Sequence, residues 1–214
     1  MTSLAIYIGF TACWAFTWVV TYAQSKDSNK EASIEAWSKC HILHDLHAYI
    51  LCIASFCSLQ HWVEESIILS FTLGYFTVDL MDCILRRDVQ FFIHAILSIV
   101  LIGGSAIHPA HRELRSASKG CLLELSTPFL HRWQRTKGKV DFYVFYALFF
   151  LCRIIWLPYF LYNTYLTMGF LEATVACGFV FFFLQLTWFR KLTQMALNYK
   201  SREDLQEQSR KKID

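Results

Sequence analysis

Five residues able to carry charge stand inside apolar stretches of the 214-residue chain: His47, Asp79, His94, Glu124 and Arg153. An imidazole beside a carboxylate is a positioned base, and a guanidinium beside a carboxylate neutralises it. In hydrocarbon each such group costs about 2.5–3.5 kcal/mol on insertion scales, so each needs a partner or a role. Two roles fit this pattern. Polar side chains can hydrogen-bond between helices and fix their packing, or they can face a shared interior cavity. A second group, "HILHDLH", holds His41, His44, Asp45 and His47. The spacing of three places the histidines along one helix flank at a membrane edge. Such a cluster resembles a metal site, but no Cys-x-x-Cys or His-Glu-x-x-His accompanies it, and a partly wet interfacial cluster is expected instead of a metal. No Gly-rich phosphate loop or nucleophile elbow appears, and no cofactor is expected.

The elements that position these residues are membrane helices. Hydrophobic residues make up 55% of the chain and charged ones 17%, too apolar for a fully wet surface. The apolar residues fall in runs near the ~20 residues that span a hydrocarbon core. Seven spans are expected, at about 2–23, 41–60, 66–85, 91–107, 120–131, 141–165 and 170–190, in an all-α membrane protein. Nothing shows the alternating strands of a barrel. The first run is long for a signal peptide and has no preceding positive charge, so it is read as a helix that stays. The expected organisation is a first helix and cytosolic loop (1–39), a membrane domain (40–190) and a cytosolic polar tail (191–214), frayed or disordered. The eight cysteines are read as small apolar thiols in or near helices. Cys40 and Cys83 lie near the membrane edge, where palmitoylation occurs.

Charge sets the orientation. With seven spans, sixteen of the twenty Lys and Arg fall on one side, three on the other, and Arg153 within a span. The positive-inside rule then gives a lumenal N-terminus and a cytosolic C-terminus. The chain ends Lys211-Lys212-Ile213-Asp214, which resembles the dilysine retrieval signal of endoplasmic-reticulum membrane proteins. Depth follows from 1.5 Å per residue. Asp79 precedes Arg86-Arg87 by about as many residues as His94 follows it. In an antiparallel hairpin both sit roughly 10 Å below the cytosolic end. His47 and Glu124 fall at the same level, and Arg153 lies deeper. Asp79 and His94 are expected within reach of each other, directly or through one water. Asp82, one turn nearer the cytosol, is expected to reach the headgroups.

"LGYFTVDL", a His in the next helix, "ELSTPFLHRWQ" and "VDFYVFYALFFLCRI" resemble the TLC-domain family, above all its small members. The resemblance spans roughly residues 40–190. It implies a ring of membrane helices around an elongated lipid-accessible cavity. Asp79, His94, Glu124, Pro128 and Arg153 match motif positions, and His47 resembles the family's early His-Ala. One departure matters. Ceramide synthases in this family carry paired histidines where this chain has His94-Ala95, and a His-Asp pair and a further Asp near "KGCLLELSTPFLH". A single histidine is a thin apparatus for acyl transfer. The reading favoured is a membrane protein of lipid homeostasis in the endoplasmic reticulum, which binds, senses or moves a lipid: a sphingolipid, a phospholipid or a fatty acyl chain. One alternative is an acyltransferase with His94 as general base and Asp79 or Glu124 orienting it. The other is a chaperone or cargo adaptor. No nucleic-acid partner is expected, and homo-oligomerisation stays open.

Overall fold

Leu, Ile, Phe and Val dominate the long segments, and with no water to satisfy the backbone these close into helices. The computed structural model describes residues 2–25, 36–169 and 172–210. Six helices are long and apolar enough to cross a membrane. They are α1 (Thr2–Ser25), α2 (His41–Leu59), α3 (Glu65–Arg86), α4 (Val89–Ile107), α5 (Lys139–Met168) and α6 (Ala173–Arg210). The polar stretch past residue 190 continues α6 as far as Arg210. Lys211 and Lys212 lie outside the described residues.

The span expected at 120–131 is not a seventh such helix. It is the middle of a composite: α-helix Ser116–Cys121, 3₁₀ turn Leu122–Ser126 and α-helix Thr127–Thr136. Pro128 has no N–H for the Glu124 carbonyl four residues back, and Thr127 takes that carbonyl in the tighter pattern. The composite nonetheless lies beside α2 along its length, antiparallel to it. Near one end the Ser118 hydroxyl donates to Ser58 at 3.0 Å, and near the other His131 meets Asp45 at 2.6 Å. Each of its pieces is too short to cross a membrane alone, and neighbouring helices bury its Ser118, Ser126 and His131.

Contacts close a ring in the order α2, α3, α4, α6, α5, composite and back to α2. The first helix stands outside it, parallel to α3. Gly74 makes that approach possible, because a Cβ there would lie 2.9 Å from the Thr11 backbone nitrogen. Trp14 enters a core with Trp37, Tyr75 and Phe76. A second core joins Phe142, Phe145 and Phe149 of α5 to Leu192 of α6. Outward faces carry exposed Phe16, Ile53 and Phe183, as lipid requires. All eight cysteines are free thiols. Cys83 is buried, not at an accessible edge, because α3 turns it inward beside Arg86.

α5 is helical throughout but widens to a π-helix at Phe150–Trp156. Pro158 follows directly and cannot bond the Ile154 carbonyl, so the local register shifts to wider turns. Arg153 sits in the middle of that widened segment.

Candidate functional site

The ring encloses a cavity of about 550 Å³ that opens at the end bearing His41, Arg86 and Lys191. Every member of the ring contributes to its wall: His44 from α2, Asp79 from α3, His94 from α4, Glu124 from the composite, Arg153 from α5 and Trp188 from α6. A smaller, largely apolar cavity of about 90 Å³ shares Phe76 and Glu124 with it and runs on between Leu101, Leu157 and Phe181. Its wall includes His111, held by Ser116 at 3.0 Å and Thr174 at 2.5 Å. A polar chamber thus adjoins a narrow apolar slot, a shape suited to a headgroup and a chain.

Arg153 has a partner for every guanidinium nitrogen. Its guanidinium donates to Ser126 at 3.0 Å, Gln185 at 3.1 Å and Thr127 at 3.2 Å, and meets the Glu124 carboxylate at 3.5 Å. Glu124 also accepts from Thr127 at 2.7 Å. This clamp ties the composite, α5 and α6 together in the cavity floor. Asp79 accepts the Trp37 indole N–H at 3.2 Å on one oxygen, and its other oxygen has no hydrogen bond among the described residues. His94 lies among rings, 5.3 Å from Phe181 and 5.5 Å from Trp188, and its buried Nδ1 has no hydrogen-bond partner there. The expected direct contact between Asp79 and His94 is absent among the described residues. The two line one cavity, but the Trp37 indole takes the carboxylate and aromatic rings pack around the imidazole.

His47 departs from the expected layer. It is buried and stacks on Tyr75 at 3.6 Å, which screens it from the chamber. The histidine flank is wet only at His41, which is half-buried at the chamber mouth. His44 is also buried, bonding Tyr75 at 2.7 Å and the Trp37 carbonyl at 2.8 Å. The short helix Ala36–Lys39 and α3 cover the face that the sequence left open to water. No group of three or more ligands able to hold a metal occurs among the described residues. Asp82 does not reach the headgroups either. It is buried, takes Arg86 at 2.5 Å and accepts from Trp18 of α1 at 3.1 Å.

Sequence reasoning missed His131, which faces the chamber, and its pairing with Asp45. His131 stands seven residues after Glu124, two helical turns along one face, a signal obscured by its place beside Arg132 at the presumed membrane edge. A family model, the TLC domain, matches residues 5–194. No curated protein and no solved structure matches the chain.

Proposed function

Because the chain belongs to the TLC-domain family, we propose that it is a multi-pass endoplasmic-reticulum membrane protein that holds a lipid in its intramembrane cavity, as a binder, sensor or carrier. We place it with the family's small members. The observation that carries this reading is the cavity itself, a chamber lined by incompletely paired Asp79 and His94 and joined to an apolar slot. Among the described residues no carboxylate hydrogen-bonds to His94 to orient it, which supports holding over acyl transfer. Gentle purification followed by lipid mass spectrometry tests the reading. A lipid enriched over the bulk membrane, and reduced in Asp79 or His94 variants, is the expected result. No enrichment over bulk would overturn it.

In this reading the composite is a seventh crossing, so the termini lie on opposite faces, with the cavity mouth and C-terminus cytosolic. A glycosylation site placed before Leu4 should be modified and one after Asp214 should not. Changing Lys211 and Lys212 to Ser should release a fraction of the protein to later compartments.

A further inference from the structure

At the mouth of the cavity two side chains meet one carboxylate and a third stacks on one of them. His131 Nδ1 lies 2.6 Å from Asp45 Oδ1, and Arg135 Nη1 lies 3.0 Å from Asp45 Oδ2. His41 stacks on the His131 ring at 4.7 Å, with the planes within 7° of parallel. His131 is buried and forms part of the chamber wall. A neutral imidazole carries one proton, on one of its two nitrogens, and its hydrogen bonds decide which. A carboxylate only accepts, so the proton sits on Nδ1. That leaves Nε2 an acceptor, with no partner among the described residues. Asp79 offers a second acceptor in the same chamber, its free carboxylate oxygen. The guanidiniums nearby are engaged elsewhere: Arg153 with Ser126, Gln185, Thr127 and Glu124, and Arg86 with Asp82 and Asp88. The chamber wall also holds donors, the unpartnered Trp133 indole N–H and the Lys191 ammonium, so the acceptor character belongs to the His131–Asp45 edge and to Asp79.

We propose that His131 and Asp45 form a headgroup-reading site at the cavity mouth, which takes a lipid whose headgroup ends in a hydrogen-bond donor, a primary amine or a hydroxyl. This rests on the lipid-holding reading above and names the chemistry it selects. A headgroup without a donor leaves Nε2 desolvated and unpaired, and is disfavoured for that reason. Arg135 makes the site testable in an unusual way. In Asp45→Asn the amide oxygen stays with the Arg135 donor, because a guanidinium cannot accept. The amide NH₂ then faces Nδ1, and the imidazole proton moves to Nε2. The wall changes from acceptor to donor with almost no change in shape.

The test uses the full-length protein and two probes with identical acyl chains, phosphatidylethanolamine and phosphatidylcholine, competed in native mass spectrometry. The wild type should prefer phosphatidylethanolamine by about fivefold, the worth of one net hydrogen bond. Asp45→Asn should lose or reverse that preference. His131→Phe, which keeps the stack on His41, should bind both lipids equally. Binding of both lipids without preference by the wild type, or a preference unchanged in both variants, overturns the proposal and leaves the lipid-holding reading standing. Binding of neither lipid overturns both. Displacement by soluble phosphoethanolamine at concentrations that match the lipid would overturn the lipid as occupant.

Discussion

The cavity floor and the cavity wall use the same residue types to opposite ends. In the floor, Arg153, Glu124, Thr127, Ser126 and Gln185 pair mostly with one another, each guanidinium nitrogen having a partner and the Gln185 amide nitrogen alone left over among the described residues. In the wall, Asp79 keeps one oxygen open and His94 keeps a buried nitrogen unpartnered. Both sets lie at depths where hydration is lost, and both cost free energy to bury. Saturation is what separates them. A saturated cluster can fix helix positions but has little left to offer a ligand, whereas an unsaturated one is a liability to the fold that a ligand can relieve. Asp82 belongs with the floor, since Trp18 and Arg86 occupy it and bind α1 to the ring.

The largest effect should come from breaking the floor. Arg153→Leu leaves Glu124 a buried, unpaired carboxylate and strands Gln185. The expected cost is about 3–5 kcal/mol, the range for removing one partner of a buried pair. Thermal unfolding in mild detergent should show it as a large downward shift or as failure to accumulate folded protein. Asp82→Ala should cost less, about 1–3 kcal/mol, because Arg86 still has Asp88 and partial exposure. Its signature is local: α1 should become more accessible to proteolysis while the ring persists. If Arg153→Leu proved as stable as the wild type, the distinction between floor and wall would collapse.

The difference between the two regions also explains what could be read in the sequence. Hydropathy marks six helices directly, because their outward faces meet lipid and must be apolar. The composite segment is covered by protein, so its apolar run is short. Gly120, the 3₁₀ turn and Pro128 break the periodicity that would have set its bounds. Equal depth selected Asp79, His94 and Glu124, and all three line the chamber. Depth says nothing about azimuth, however. His47 packs against Phe71 and Tyr75, a turn of α3 away from Asp79, and Tyr75 screens His47 while Asp79 stays open. His131 lay beyond reach for the converse reason. A basic neighbour marks a membrane edge whether or not the residue turns inward, and only its pairing with Asp45, 86 positions away, shows that it does.

A moderate effect is expected at His94, with the opposite sign. His94→Phe retains ring contacts with Phe181 and Trp188 and removes a buried nitrogen that has no partner. Stability should hold or rise by about 1 kcal/mol, the penalty of the orphaned group. Bound lipid should fall at the same time. Gain of stability with loss of ligand is the expected mark of a residue kept for function. A clear loss of stability would move His94 to the floor's side of the comparison.

The smallest effect on the fold, and the sharpest on function, is expected from Asp79→Asn. The Trp37 indole donates to one oxygen of Asp79, and an asparagine oxygen can accept the same bond at the same place. The change in thermal stability should therefore stay within about 0.5 kcal/mol. What changes is the atom facing the chamber: a carboxylate oxygen that accepts becomes an amide nitrogen that donates. If Asp79 were packing glue, that atom would have no partner in use, and both stability and bound lipid would survive the exchange. If the open oxygen receives a ligand, the folded protein should lose its lipid in mass spectrometry while its unfolding curve overlays the wild type. The two outcomes differ in one measurement and agree in the other. Asp79→Asn thus separates wall from floor without the confusion that misfolding brings to Arg153→Leu.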